Sequence, residues 1–140
     1  EEVQTASRRS SVTLTLEDDI NISRGDMITK VDNLPIIDKQ FSAKIAWMDR
    51  EKLRVGNKYV IQHGVNKVLA KVDRIHHTIN TDFSGIVEGV SALDINDIAL
   101  VSFKLNKPVF YDAFKNHRTN GSFIIIDPKT NTTAGAGFIQ

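Results

Sequence analysis

The alternation of apolar and polar side chains constrains the fold of this chain more than any other feature of its sequence. In residues 11–16, Val12, Leu14 and Leu16 share one face while hydroxyl side chains share the other, and residues 40–48 show the same repeat. A repeat of two is typical of a half-buried β-strand, whereas an amphipathic helix repeats every 3.6 residues. Almost no segment shows the helical repeat. The chain is therefore predicted to be all-β.

Seven or eight short strands are predicted, separated by turns rich in Gly, Pro, Asn and Asp. Residues 90–95 remain open between a helical turn and a loop, residues 111–114 could form one helical turn, and residues 81–88 are polar and irregular. Pro108 is expected to end its strand. Many short strands with this spacing indicate a β-barrel or a sandwich. The predicted strands are residues 11–16, 27–31, 40–48, 58–63, 67–75, 98–105, 121–127 and 133–139.

Composition fits one soluble globular domain and excludes several kinds of chemistry. The 140 residues carry 18 basic and 17 acidic side chains, and the net charge of +1 argues against a dedicated nucleic-acid binder. There are no cysteines, which rules out disulfides, thiolate nucleophiles and cysteine-ligated metals. No apolar run is long enough for a membrane span, so no membrane partner is predicted. Because the first residue is not Met, we expect a piece of a longer chain.

A domain boundary is predicted near Asn33-Leu34-Pro35, where turn residues interrupt the strand pattern. Residues 1–33 would contribute only two strands, too few for an independently stable sheet, so they are predicted to be the end of a preceding barrel domain. Residues 34–140 are predicted to form a self-contained six-stranded β-barrel. Gly135 and Gly137 would let its last strand approach neighbouring backbones closely.

No nucleotide-binding or catalytic motif is complete. The phosphate-binding pattern Gly-x-x-x-x-Gly-Lys followed by Ser or Thr is absent, and so is the Gly-x-Ser-x-Gly pattern of an activated serine. Asn66-Lys67-Val68-Leu69 begins like a guanine-recognition motif, but Leu69 replaces the required carboxylate, so a hairpin corner is the preferred interpretation. We therefore predict no catalytic and no cofactor-binding residue in this chain.

Metal-ligating residues are also not arranged as a site. His76 and His77 are consecutive, and consecutive strand residues are predicted to point to opposite faces. His63 and His117 could approach each other only through the fold. Glu17-Asp18-Asp19 lacks the alternating ligands and the glycine of a calcium loop. No metal site is predicted.

Basic and aromatic side chains offer a further possibility, a track for nucleic acid. The densest basic stretch is residues 50–58, with Arg50, Lys52 and Arg54 near Lys58. Asp49 and Glu51 interleave with these cations, a mixture typical of a solvated loop. Phe110-Tyr111 and Phe114-Lys115 are predicted to pack under a loop. Trp47 lies on an apolar face and is predicted to be a core residue or an interface anchor.

Longer motifs make the sequence resemble one family. Residues 12–26, which include the run LEDDINISRGD, resemble the closing strands of the second domain of translational GTPases. Taken together, the motifs resemble the large GTPase subunit of bacterial ATP sulfurylase (sulfate adenylyltransferase) from about Ser11 onward. The further motifs are residues 45–48, 71–75, 93–99 and 121–127, and finally Thr133-Ala134-Gly135-Ala136-Gly137.

The resemblance implies a fold, a parent activity and partners. The full subunit of that family has a GTPase domain followed by two barrels like those of elongation factor Tu, and this chain would hold the C-terminal barrel with the end of the one before it. GTP hydrolysis there drives a separate catalytic small subunit, which makes adenosine 5′-phosphosulfate and pyrophosphate from ATP and sulfate. The expected partners are that small subunit and the parent's own N-terminal GTPase domain, in the cytoplasm. GTP and magnesium would belong to the GTPase domain.

Three functions stay open on the sequence. The first is a structural and interaction module of the sulfurylase subunit. The second is an RNA-binding barrel of a translation-factor-like GTPase, against which the near-neutral charge argues. The third is an autonomous hydrolase, which would need carboxylates or histidines gathered in one pocket.

Overall fold

The computed structural model describes residues 1–140, and every regular element in it is a β-strand. The prediction of an all-β chain is confirmed. No helix is present that could cross a membrane. The strands are β1 (Ile36–Trp47), β2 (Leu53–Arg54), β3 (Lys58–His63), β4 (Asn66–Ile79), β5 (Ile86–Glu88), β6 (Ala92–Leu93), β7 (Ile98–Tyr111), β8 (Ser122–Ile126) and β9 (Thr133–Ile139).

Six of these strands close into an antiparallel barrel. Around the wall their order is β3-β8-β9-β1-β7-β4, and the hairpin pairing of β3 with β4 joins the two ends. Closure matters because it leaves none of the six with an unpaired edge. Strand β5 extends the wall beside β4, and β2 pairs with β6 in a separate two-stranded ribbon. The predicted six-stranded barrel is confirmed.

The core is a cluster of 22 buried apolar residues, and all of them except Leu53 and Leu93 of the ribbon occupy inward positions of the barrel strands. Four aromatic rings meet near one end. The ring centroid of Phe41 lies 5.2 Å from that of Phe123 and 5.6 Å from that of Tyr111, and Phe103 lies 6.0 Å from Phe123. Burying one such side chain contributes about 1.5–3 kcal/mol, so this cluster is a main source of barrel stability.

Trp47 closes the core at the other end of β1. Its side chain is 1% exposed, and its ring meets the ring of Tyr59 edge-on with 5.3 Å between centroids. The indole Nε1–H donates a hydrogen bond to the carbonyl oxygen of Glu51 at 2.8 Å, which satisfies the one polar atom of the side chain. Of the two roles that the sequence left open for Trp47, the structure shows the core role.

Two glycines let β9 lie close to its neighbours, as predicted. A Cβ atom added at Gly137 would lie 2.8 Å from Cε1 of Phe123 and 3.0 Å from Cγ2 of Ile45. At Gly135 it would lie 2.9 Å from the carbonyl oxygen of Ala46. Real Cβ atoms do not approach other heavy atoms so closely, so any larger residue would push β9 away from the core.

Residues 1–35 contain no strand, which corrects the prediction for residues 11–16 and 27–31. Val12, Leu14 and Leu16 are between 47% and 64% exposed, and no other segment pairs with them. A strand needs a neighbour to satisfy its backbone hydrogen-bonding groups, and the chain provides none there. Alternation predicts which face would be buried but does not supply a partner. The division into residues 1–33 and 34–140 stays a prediction.

Pro108 does not end its strand, because β7 runs on to Tyr111. Lys104 pairs with Gln40 and Val109 pairs with Asp38, so residues 105–108 of β7 lie opposite a single residue of β1. This irregularity is a bulge, where residues are left out of the ladder. Proline has no N–H to donate, and in a bulge that loss removes no ladder bond.

Short strands also occupy segments that the sequence left irregular. Strand β5 lies within residues 81–88 and pairs with the end of β4, and β6 lies within residues 90–95 and pairs with β2. The helical turn considered for residues 111–114 is not present, because Tyr111 ends β7 and a turn follows at residues 114–116. Such short segments have no periodicity of their own, so the neighbouring strand decides their conformation.

Candidate functional site

Asn120 organises the end of the barrel nearest the N-terminal segment. Its Nδ2 donates to Oδ2 of Asp112 at 2.7 Å, and its backbone N–H donates to Nδ1 of His117 at 3.1 Å. Its carbonyl oxygen accepts a hydrogen bond from Nε2 of His63 at 2.7 Å. His63 is buried, and its Nε2 is the donor because a carbonyl can only accept. The fold thus brings His63 and His117 to one residue, Asn120, which sequence reasoning had missed.

A crevice of about 400 Å³ lies beside this network, between residues 27–35 and the loop of residues 112–120. Seven of its eleven lining residues carry polar side chains, including Lys30, Asn33 and Thr119, and Met27 and Ile28 are among the others. A second contact lies at Gly25 of the N-terminal segment. Its carbonyl oxygen accepts a hydrogen bond from Nδ2 of Asn66, the first residue of β4, at 3.2 Å. The N-terminal segment therefore meets the barrel through polar contacts at this end.

His76 and His77 both lie on the outer wall, which corrects the prediction that they point to opposite faces. The register between β4 and β7 shifts between Ile75 and His77, and this bulge interrupts the alternation. Nε2 of His76 lies 2.6 Å from Oγ of Ser102, and His77 aligns with the outward-facing Leu100. No group of three or more histidines or carboxylates could hold a metal ion.

Ser102 and His76 form the one serine–histidine contact in the chain. Oγ of Ser102 is also 2.7 Å from Oγ of Ser42, so Ser102 is hydrogen-bonded both to His76 and to Ser42. An activated serine needs a carboxylate or similar group to orient the histidine. No carboxylate bonds to His76, and Asp73 instead pairs with Lys104 at 3.1 Å between Oδ1 and Nζ. These side chains form a hydrogen-bond network on the outer surface of the barrel, without the orienting carboxylate of an activated serine.

The guanine-motif look-alike is a hairpin, as the sequence indicated. Asn66 begins β4 opposite His63, and Leu69 lies opposite Val60. The backbone N–H of Leu69 donates a hydrogen bond to Oδ1 of Asn106 at 3.0 Å, as expected of a structural strand residue. Residues 17–19, the acidic run, lie exposed in the N-terminal segment.

The basic stretch of residues 50–58 is solvated and partly paired. Nζ of Lys52 lies 3.1 Å from Oδ1 of Asp94, and both side chains are exposed. Exposed pairs of this kind contribute about 0–1 kcal/mol. The stretch passes from a loop through β2 into β3, so its cations do not form one continuous track.

Burial raises the pKa of two barrel tyrosines. For Tyr59 burial is the largest cause, the hydrogen bond from Asn57 opposes it, and the charge of Asp127 adds to it. For Tyr111 burial is again the largest cause, and the charge of Asp38 adds to it. A phenol whose pKa is higher in the folded state than in the unfolded state contributes stability below the unfolded value of 10.0, and this is lost as pH rises through the folded pKa.

We therefore expect the free energy of unfolding to fall above about pH 10, and to fall less steeply in Tyr59→Phe. The measurement is urea denaturation of both proteins at about pH 8 and about pH 11, where lysine titration is common to the two and cancels in the difference. Equal losses in the wild type and the variant would contradict this prediction.

Solved structures share the fold of this barrel. The chain superposes on sup35 solved in complex with GDP with a TM-score of 0.70, covering 78% of this chain and 26% of that one. It superposes on sup35 in complex with GMPPNP with a TM-score of 0.71, covering 79% and 27%. The sequence identity is 15% in both cases, so these comparisons show a shared fold alone.

The chain belongs to the GTP-eEF1A C-terminal domain-like family, whose match spans residues 40–140. Sulfate adenylyltransferase subunit 1 of Bacteroides fragilis is 40% identical over 92% of this chain, and that of Colwellia psychrerythraea is 40% identical over 99%. The bifunctional enzyme NodQ of Rhizobium meliloti is 33% identical over 99%. The resemblance to the large subunit of ATP sulfurylase is thus confirmed. The chain spans 27%, 29% and 22% of the length of these three relatives, respectively.

Proposed function

We propose that this chain is the C-terminal β-barrel of the GTP-hydrolysing subunit of a sulfate adenylyltransferase, and that it acts in domain packing and subunit association rather than in chemistry. The observation that carries this proposal is 40% identity, over 92–99% of the chain, to proteins named sulfate adenylyltransferase subunit 1. The parent complex would work in the cytoplasm and convert ATP and sulfate into adenosine 5′-phosphosulfate and pyrophosphate.

The residues of the barrel support a role without chemistry. The phosphate-binding loop is absent from the sequence, so GTP and magnesium would bind to the GTPase domain of the parent subunit. The contact between Ser102 and His76 lacks an orienting carboxylate. A closed barrel whose strands are all paired is instead suited to hold other domains at fixed positions.

The N-terminal segment supports a role in domain packing. Its apolar side chains alternate as in a strand, yet they are exposed. Exposed apolar groups in such numbers mark a surface that another protein element covers. In the parent, strands of a preceding barrel would pair with residues 11–16, and Val12, Leu14 and Leu16 would enter its core. The crevice beside Asn120 would then lie between the two barrels.

The experiment is a titration of this chain against the catalytic small subunit of a sulfate adenylyltransferase, at low and at high salt, with RNA as competitor. We expect saturable binding to the small subunit that persists at high salt and that RNA does not displace. Binding to RNA alone, lost steeply with salt, would contradict the proposal and favour the translation-factor alternative. Turnover of substrate by the isolated chain would contradict the absence of chemistry.

A further inference from the structure

The outer wall of the barrel carries a row of apolar residues. Residues that are directly opposite on neighbouring antiparallel strands point to the same side of the sheet, so the register defines rows around the wall. A solvated outer face normally carries polar side chains at these positions. This row, called here the apolar row, crosses six strands without a polar residue; it consists of Ile124, Ala136, Ala46, Ile98, Ile79 and Ile86.

In the neighbouring row, which runs from Ser122 to His77 and Glu88, one cation lies between two apolar side chains. Lys44 of β1 lies opposite Phe138 of β9 on one side and Leu100 of β7 on the other. Phe138 is 44% exposed and packs on Phe114, with 4.2 Å between ring centroids. Lys44 has no carboxylate within ion-pair distance, since both ion pairs of the structure involve other lysines. Its charge is therefore available to a partner.

Depressions on both sides of Lys44 give this surface a shape. One of about 430 Å³ lies beside Phe83, and one of about 400 Å³ lies beside Phe138. Phe83 sits at the turn between β4 and β5, is 73% exposed and has a φ of 57°. A left-handed conformation is unfavourable for a bulky residue, and an asparagine would adopt it more easily. Phe83 thus exposes a large ring to solvent at a position whose backbone conformation favours asparagine.

We propose that these residues form a docking face, defined as the apolar row with Lys44, Phe138 and Phe83, and that its occupant is an apolar surface of the catalytic small subunit that presents a carboxylate to Lys44. This inference rests on the function proposed above. The chemistry of the occupant follows from Lys44, because covering an ammonium group with apolar surface is costly unless an opposite charge pairs with it.

The N-terminal segment of this chain leaves the docking face open. Residues 1–35 reach the barrel at Ile36, whereas Ala46 lies roughly 33 Å farther along β1 at the rise of an extended strand. Neither depression beside Lys44 is lined by any of these N-terminal residues. The cover must therefore come from elsewhere.

The test is the same titration, carried out with three variants. Lys44→Glu would set two carboxylates against each other, and we expect at least about tenfold weaker binding to the small subunit. Phe83→Asn removes an apolar contact while suiting the backbone, and we expect about threefold or greater weakening at equal or higher thermal stability. Lys71→Glu is the matched control, because Lys71 is an exposed strand lysine that lies opposite Lys58 and Lys104, outside the docking face. Its binding should stay within about twofold of wild type.

The outcomes separate this inference from the function on which it rests. Tight binding of the wild type that Lys44→Glu and Phe83→Asn leave unchanged would overturn the docking face and leave the proposed function standing. No binding of the wild type would contradict both. A dimer of the chain alone that Phe83→Asn abolishes would assign the face to a second copy. Binding to the parent's isolated GTPase domain that Lys44→Glu abolishes would assign it to that domain, and either result would overturn the proposal.

Discussion

Replacing Trp47 with alanine is expected to lower the free energy of unfolding by about 4 kcal/mol. The side chain is 1% exposed and contacts the ring of Tyr59, so truncation leaves a cavity in the core. The backbone N–H of residue 47 donates to the carbonyl oxygen of Asp97 at 2.9 Å, and its carbonyl oxygen accepts from the N–H of Asn96 at 2.8 Å. Alanine keeps both bonds, so the expected loss comes from the side chain. The measurement is urea denaturation followed by circular dichroism.

Trp47→Phe is the matched variant for this prediction. A phenylalanine refills much of the space but cannot donate to the carbonyl oxygen of Glu51, so we expect a smaller loss of about 1–2 kcal/mol. If Trp47→Ala unfolded at the urea concentration of the wild type, Trp47 would not be the core residue that the structure shows.

Replacing Gly137 with valine is expected to destabilise the barrel by about 3 kcal/mol. The added side chain would overlap Phe123, which is 4% exposed and is held by Phe41 and Phe103, so its ring has no free space to move into. Strand β9 would have to shift away from the core, which weakens its pairing with β1 and β8. The measurement is the thermal unfolding midpoint together with the free energy of unfolding in urea.

Ala136→Val is the control for Gly137→Val, since it adds a β-branched side chain at the adjacent position of the same strand. Ala136 faces outward and is partly exposed, so the change should stay within about 0.5 kcal/mol of wild type. Equal stability of Gly137→Val and wild type would contradict the view that the glycine is required for closure of the barrel.

The sequence predicted the barrel because its inward positions repeat with a period of two over long strands. The hairpin of β3 and β4 follows from alternation on both sides of Gly64, and the closing strand follows from small residues at 135 and 137. It mispredicted Pro108 because the bulge that accommodates proline is a property of the pair β1 and β7. It also mispredicted residues 11–16, where alternation is present but a partner strand is absent.

The site could be predicted only in part, for a similar reason. A phosphate-binding motif is a short run of consecutive residues, so its absence can be read from the sequence without a structure. The docking face is not local, because Ala46, Ile98 and Ile79 look ordinary within their own strands and become a row only through the register between strands. Asn120 likewise carries no sequence signal, since its partners His63 and Asp112 come from other parts of the chain.

The position of β9 has a consequence for how the protein is made. Because β9 pairs with β8 on one side and β1 on the other, the barrel cannot close before its last strand has left the ribosome. Until then the nascent chain exposes two unpaired strand edges and the inward face of its aromatic cluster, which are the features that promote aggregation. Closure also joins segments that are far apart in sequence, a topology that folds slowly. The order of the strands therefore fixes how long these edges stay exposed during synthesis.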